Sequence, residues 1–251
     1  LSLGFIKETL ADGTKGRLTV LEALGGHYIL KPQNAAFPEM PENEHLTMKL
    51  AELLKIQTVV SSLIRLKSGE LSYITKRIDR TTKGEKIHML DMFQITEAFD
   101  KYRSSMEKVG KAVIEHSSHT LLDVLRLYEL VIFTYITGNN DMHLKNFSLI
   151  LKDENWGFAP AYDLLNAQLH LSEDKEETAL TIGGKKSRLT KSDFIILGVK
   201  FGLSEKQIEN VFQRFIKAEK KLLLLIDQSF LREANKIKYK DLLTQRLHLF
   251  K

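Results

Sequence analysis

Hydrophobic and polar positions change period along this chain of 251 residues. Before residue 80 the pattern mostly alternates. Phe5-Ile6 and Leu18-Thr19-Val20 flank the turn-forming pairs Asp12-Gly13 and Lys15-Gly16, which predicts antiparallel strands across residues 1–30. Gly25-Gly26 turns the chain again into His27-Tyr28-Ile29-Leu30-Lys31. Alternation there puts His27, Ile29 and Lys31 on one face and Tyr28 and Leu30 on the other, and Pro32 ends the strand. Residues 42–55 switch to helical spacing through Leu46, Leu50, Leu53 and Leu54. Glu44 is expected in the first turn of that helix, where a carboxylate complements the dipole. Residues 59–66 and 71–78 read as a hairpin around Lys67-Ser68-Gly69-Glu70, and a polar connector, residues 81–85, follows.

Beyond residue 80 the spacing is helical, and the β-rich part is expected to stop. Helices are predicted over residues 91–99, 121–137, 191–197 and 205–226. Ser204 with Gln207 makes a capping box, and Thr190 caps the preceding helix. Ile208, Val211, Phe212, Phe215 and Ile216 form one apolar stripe that predicts core packing. Residues 172–178 read as an acidic loop, and Lys185-Lys186-Ser187-Arg188 as a basic surface run. These elements predict an α+β fold with a small antiparallel β-rich N-terminal lobe, residues 1–80, and a larger helical lobe, residues 81–251.

Composition changes this picture little. Apolar content of 43% and charged content of 27% are those of an ordinary globular chain. A net charge of +5 accommodates an acidic or nucleic-acid partner without specifying one. The absence of cysteine excludes disulfides and cysteine-ligated zinc and fits a reducing compartment. No apolar run reaches the ~18–20 residues of a membrane span, and no signal peptide is visible, so a cytoplasmic location is expected. The chain does not begin with Met, so it is expected to be part of a longer protein.

The candidate chemistry lies between two apolar runs, residues 121–137 and 147–151. Here Asp141, His143, Lys145 and Asn146 crowd into one short polar stretch. Polar groups held between core elements must be paired or functional, because burying one unpaired costs ~1–3 kcal/mol. A second acid, Asp163, follows Asn146 by 17 residues. Asp-x4-Asn followed by a later Asp is the layout by which kinases place a base and two magnesium ligands. Lys31 and Glu44 supply a strand lysine and a helix carboxylate able to pair with it.

These residues also carry a resemblance. Ile29-Leu30-Lys31-Pro32, Asn43-Glu44-His45, Lys76-Arg77-Ile78-Asp79-Arg80, Asp91-Met92-Phe93-Gln94, Asp141-Met142-His143-Leu144-Lys145-Asn146-Phe147-Ser148 and Ala161-Tyr162-Asp163 resemble the HipA-family toxin kinases of bacterial toxin–antitoxin modules. The resemblance implies an ATP- and magnesium-dependent serine/threonine protein kinase. Asp141 would orient the acceptor hydroxyl and accept its proton, Asn146 and Asp163 would hold Mg²⁺, and Lys31, steadied by Glu44, would bind the α- and β-phosphates. Lys76 and Ile78 would meet adenine as the hinge, and Gln94, His143 and Tyr162 would line the nucleotide pocket. His143 has a second reading, as a brace for its loop, and Asp79 and Arg80 are expected to tie the lobes together. The implied partners are a protein substrate in translation, an aminoacyl-tRNA synthetase foremost, and a small antitoxin, one such partner binding DNA; direct nucleic-acid binding by this chain stays open. The family also implies a further N-terminal subdomain and a Gly/Ser loop ahead of Leu1.

Three alternatives share the same residues. A small-molecule or lipid kinase would use the same core on another hydroxyl. A catalytically silent kinase fold could act in a DNA-repressing complex, although intact Lys31, Asp141, Asn146 and Asp163 argue against dead machinery. A metal-dependent hydrolase on Asp141, His143 and Asp163 would leave Asn146 and Lys31 unexplained.

Overall fold

The computed structural model describes residues 2–10, 13–20, 26–170 and 174–251. Its N-terminal sheet has five strands: β1 (Ser2–Leu10), β2 (Gly13–Val20), β3 (Tyr28–Lys31), β4 (Ser61–Arg65) and β5 (Leu71–Lys76). All neighbours are antiparallel, in the order β2-β1-β3-β5-β4. Lys7 pairs with Gly16 and Glu8 with Lys15, so Lys15-Gly16 lies inside β2 and is not a turn. A strand tolerates one glycine at modest cost. The expected turn residues Asp12 and Gly25 fall outside the described residues.

Helix α1 (Met40–Leu53) starts two residues earlier than its leucine spacing suggests. Glu39 turns into it with a left-handed φ of 63°, and Pro41 supplies a preset φ without an N–H that would need a partner. Glu42 therefore takes the first-turn position. Glu44 stands one turn deeper, buried, which corrects its expected place and removes it from the dipole's reach. Three hydrogen bonds fasten α1 and its cap residue Glu39 to the C-terminal part. The Thr47 and Tyr239 hydroxyls lie 2.9 Å apart, and Glu39 accepts hydrogen bonds from the Arg232 backbone at 2.6 Å and from the Asn235 amide.

Strands do not stop at residue 80. A second antiparallel sheet, β6 (Met89–Asp91), β7 (Ser148–Lys152) and β8 (Asn155–Phe158), is ordered β6-β7-β8. Its central strand is the apolar run after the polar stretch, too short for periodicity to separate strand from helix. Residues 91–99 form only the single turn α2 (Met92–Ile95), capped reciprocally by Asp91 and Gln94. Helices α4 (Thr120–Ile136), α5 (Lys191–Lys200) and α6 (Glu205–Asp227) match their expected places. The capping boxes at Thr190 and Ser204 are both formed. The spacing missed α3 (Met106–His116) and α7 (Glu233–His248). The first buries small residues such as Gly110 and Ala112, and the second only a thin line through Tyr239, Leu243 and Leu247.

Helix α4 is the central post of the core. Leu127, Tyr128, Val131, Ile132, Phe133 and Ile136 are all buried, so it has almost no polar face. The α6 stripe Ile208, Val211, Phe212 and Phe215 packs into the same core, with Ile216 at its margin. The post ends at Thr137 and Gly138, and from there the chain enters the polar stretch.

Candidate active site

Lys31 closes β3 with its side chain between two carboxylates from opposite sides of the molecule. It donates to Glu44 Oε1 at 2.7 Å and to Asp163 Oδ1, and its ammonium lies 5.8 Å from the centre of the Tyr73 ring. Burial works against the ammonium, but Glu44 and Asp163 outweigh it and hold Lys31 above the ordinary lysine range. Glu44 behaves differently. Burial pushes its carboxyl up to about 7, and Lys31 offsets only part of that. The lysine thus stays charged, and Glu44 is the member of the pair that titrates near neutrality.

Asp163 sits at a left-handed φ of 59°. Aspartate tolerates this region better than most residues, and such outliers gather at functional sites. Two residues earlier, Ala161 is pinned by backbone bonds, donating to Gln57 at 2.7 Å and accepting from Val59 at 3.0 Å. The short strand-like bridge there sets where Asp163 meets Lys31.

A cavity of about 440 Å³ opens beside the lysine, within the ~300–1,000 Å³ of small-molecule sites. Of the expected residues, Lys31, Glu44, Lys76, Ile78, Gln94, Tyr162 and Asp163 line it. Tyr162 is held by its hydroxyl, 2.5 Å from Ser148 Oγ and donating to the Lys145 carbonyl at 2.9 Å. Lys145 and Ser148, members of the same sequence motif as Asp141, line the cavity too. Asp79, expected as a tie between lobes, also lines the cavity and gathers Arg77 and Arg80, each at 2.6 Å, into a cluster next to Ile78.

Asp141, His143 and Asn146 are not part of this cavity's lining, although Lys145 between them is. The Asn146 amide donates to the Asp141 carbonyl at 3.4 Å, and the His143 N–H donates to the same carbonyl at 2.8 Å, so the loop folds around Asp141. Of the two readings for His143, the brace is the one its contacts match. Its Nε2 meets Lys101 Nζ at 2.9 Å, and its ring packs edge-on to Tyr102 at 5.1 Å. Burial, then the Lys101 charge, lowers its pKa and keeps the ring neutral at pH 7. The Tyr102 hydroxyl donates to Asp141 Oδ1 at 2.7 Å, and burial together with that carboxylate raises the phenol to about 12. Nothing in the spacing of Lys101 or Tyr102 points to a loop 40 residues away.

Asn146 and Asp163 are the candidate magnesium ligands. Among the described residues no group of three His, Cys, Asp or Glu could hold a metal ion. Asn146 and Asp163 offer oxygen only, which suits a hard cation that keeps waters and shares phosphate oxygens and does not suit an all-protein zinc cage. The residues present fit the former.

Comparison with known proteins finds relatives that are described as kinases. A Haemophilus influenzae protein named "Putative kinase" is 26% identical over 236 residues, covering 82% of this chain and 69% of that protein. The Sinorhizobium fredii "Putative kinase Y4dM" is 32% identical over 238 residues, covering 84% of this chain but 57% of its own length. Among solved structures, the Shewanella oneidensis MR-1 toxin–antitoxin complex of HipA, HipB and operator DNA contains a match with a TM-score of 0.76 at 17% identity, covering 99% of this chain and 62% of that one. The Helicobacter pylori proinflammatory kinase CtkA matches with a TM-score of 0.65 at 14% identity, covering 89% and 84%. The fold is therefore kinase-like. The HipA-like C-terminal domain family matches residues 9–222, and the chain belongs to that family.

Proposed function

We propose that this chain is the catalytic body of an ATP- and Mg²⁺-dependent serine/threonine protein kinase that serves as the toxin of a toxin–antitoxin pair. The observation that carries the reading is Lys31, held by Glu44 and Asp163 on a cavity that Lys76 and Ile78 also line. In this reading residues 1–80 form the nucleotide-side lobe and residues 81–251 the catalytic lobe. Lys31 releases Asp163 and neutralises the α- and β-phosphates, while Glu44 keeps the lysine aimed. Asn146 and Asp163 hold Mg²⁺, which when bound screens the charge of the phosphate oxygens. Gln94 and Tyr162 close the nucleotide side, and His143 acts on the loop instead of on the nucleotide. Asp141 orients the acceptor hydroxyl and takes its proton.

The HipA neighbour is described with HipB and operator DNA, which supports a small DNA-binding antitoxin as partner. A translation protein such as an aminoacyl-tRNA synthetase as substrate rests on the family resemblance alone. A cytoplasmic location belongs to the same reading. No helix among the described residues is long and apolar enough to cross a membrane. The test is incubation with γ-labelled ATP and Mg²⁺, with and without bacterial lysate, beside calorimetry of nucleotide binding. Label on serine or threonine of a protein is expected. Label on a lipid or small molecule would favour the neighbouring kinase classes, and no nucleotide binding would overturn the reading.

A further inference from the structure

The loop before α3 is stitched to the catalytic loop at three points. The Leu144 N–H donates to the Lys101 carbonyl at 3.1 Å, the Tyr102 hydroxyl donates to Asp141 at 2.7 Å, and Lys101 Nζ meets His143 Nε2 at 2.9 Å. An ammonium can only donate, so Nε2 is the acceptor and the His143 proton sits on Nδ1. Lys101 also lies over the Tyr102 ring, 4.8 Å from its centre. Among the described residues it makes no ion pair with a carboxylate. A full positive charge is thus held two residues from Asp141 on a neutral imidazole and an aromatic face, neither of which cancels it.

We infer that Lys101 is a catalytic cation for phosphoryl transfer, placed by His143 to meet the charge that develops on the transferring group. The inference rests on the kinase reading above. In the step concerned, the acceptor oxygen bonds to the γ-phosphorus as the bond to the ADP oxygen breaks, and the acceptor's proton passes to Asp141. Charge spreads over the equatorial oxygens during that exchange, and a fixed cation there lowers the barrier. Lys31 cannot supply it, being committed to the α- and β-phosphates. His143 is then a positioning residue that aims the ammonium.

The deciding variant is Lys101→Gln, whose amide still donates to His143 Nε2 but carries no charge; Lys101→Arg keeps the charge. Wild type and both variants are titrated by calorimetry with MgADP, then with MgADP plus aluminium fluoride, and assayed for phosphoryl transfer. In Lys101→Gln, MgADP affinity is expected to stay within threefold of wild type. The added tightening from aluminium fluoride should fall at least tenfold, and kcat should fall ~10²-fold. Lys101→Arg should recover part of both. A fluoride response in Lys101→Gln equal to that of wild type overturns the inference and leaves the kinase reading standing. So does equal damage in the Arg and Gln variants, which would mark a packing role. Wild-type protein that binds no MgADP overturns both.

Discussion

Asn43 and Asn166 exchange a reciprocal pair of hydrogen bonds across the molecule. The Asn43 side chain donates to the Asn166 carbonyl at 2.9 Å and accepts from the Asn166 N–H at 2.9 Å. One residue after Asn43 comes Glu44, and three residues before Asn166 comes Asp163. The two carboxylates that grip Lys31 are therefore set relative to each other by an amide that behaves like a piece of sheet. Both asparagines are fully buried, so neither can turn to water instead.

Asn43→Ala should thus cost ~1–3 kcal/mol of stability, the penalty for leaving buried partners unsatisfied. It should also weaken nucleotide binding several-fold, although Asn43 does not line the cavity. Urea denaturation and MgADP calorimetry measure the two effects. Loss of stability with unchanged nucleotide affinity would mean the pair only fastens the helix.

Gly138 backs this arrangement from the other side. It has a φ of +73°, and a Cβ there would lie 2.7 Å from Asn166 Oδ1 and 2.5 Å from Leu242. Gly138→Ala should destabilise the protein by ~1–3 kcal/mol through strain and overpacking. It should also lower nucleotide affinity in the same direction as Asn43→Ala. The double variant tests the link. Fully additive losses in affinity would show that Gly138 does not act through Asn166.

Sequence patterning revealed the parts of the site that repeat a chemical logic: a strand lysine, a helix acid, and Asp, Asn and Asp in order. It placed α4 and α6 because their apolar stripes are long. It missed β6 and β7 as strands because short apolar runs carry no period, and α7 because that helix buries so few residues. Lys101 and Tyr102 were illegible for another reason. Their meaning comes from touching His143 and Asp141, and a contact between segments 40 residues apart leaves no trace in local spacing. Asn43 and Asn166 are the same case across 123 residues.

Asp141→Asn should lower phosphoryl transfer ~10²–10⁴-fold, the usual contribution of a general base, with MgADP affinity nearly unchanged. The separation is expected because Asp141 stands outside the cavity lining and contacts Tyr102 instead. Single-turnover kinetics with calorimetry decides it. Near-normal turnover would assign the proton to another acceptor, and lost nucleotide binding would place Asp141 among the metal ligands.

Removing the lysine should have a cost that depends on pH. Glu44 is buried with a pKa of about 7, against 4.5 for the unperturbed group. A carboxyl whose pKa is higher folded than unfolded favours the folded state fully below the unfolded value, and that benefit is lost as pH rises through the folded one. Lys31 opposes this loss by stabilising the carboxylate. In Lys31→Met the opposition is gone, the Glu44 pKa rises further, and the carboxyl takes up a proton when the protein is folded. At pH 5 to 6 the variant then buries a neutral acid and should be only slightly less stable than wild type. At pH 8 it must either ionise a buried, unpaired carboxylate or hold a proton against the solvent, and the deficit should grow by ~1–3 kcal/mol. Adding Glu44→Gln should abolish that growth without restoring nucleotide binding, if Lys31 is the phosphate cation proposed above. Denaturant titrations of the three proteins from pH 5 to pH 8 measure this. A deficit that stays constant across the range, or that shrinks as pH rises, would show that Glu44 is ionised in the folded state throughout.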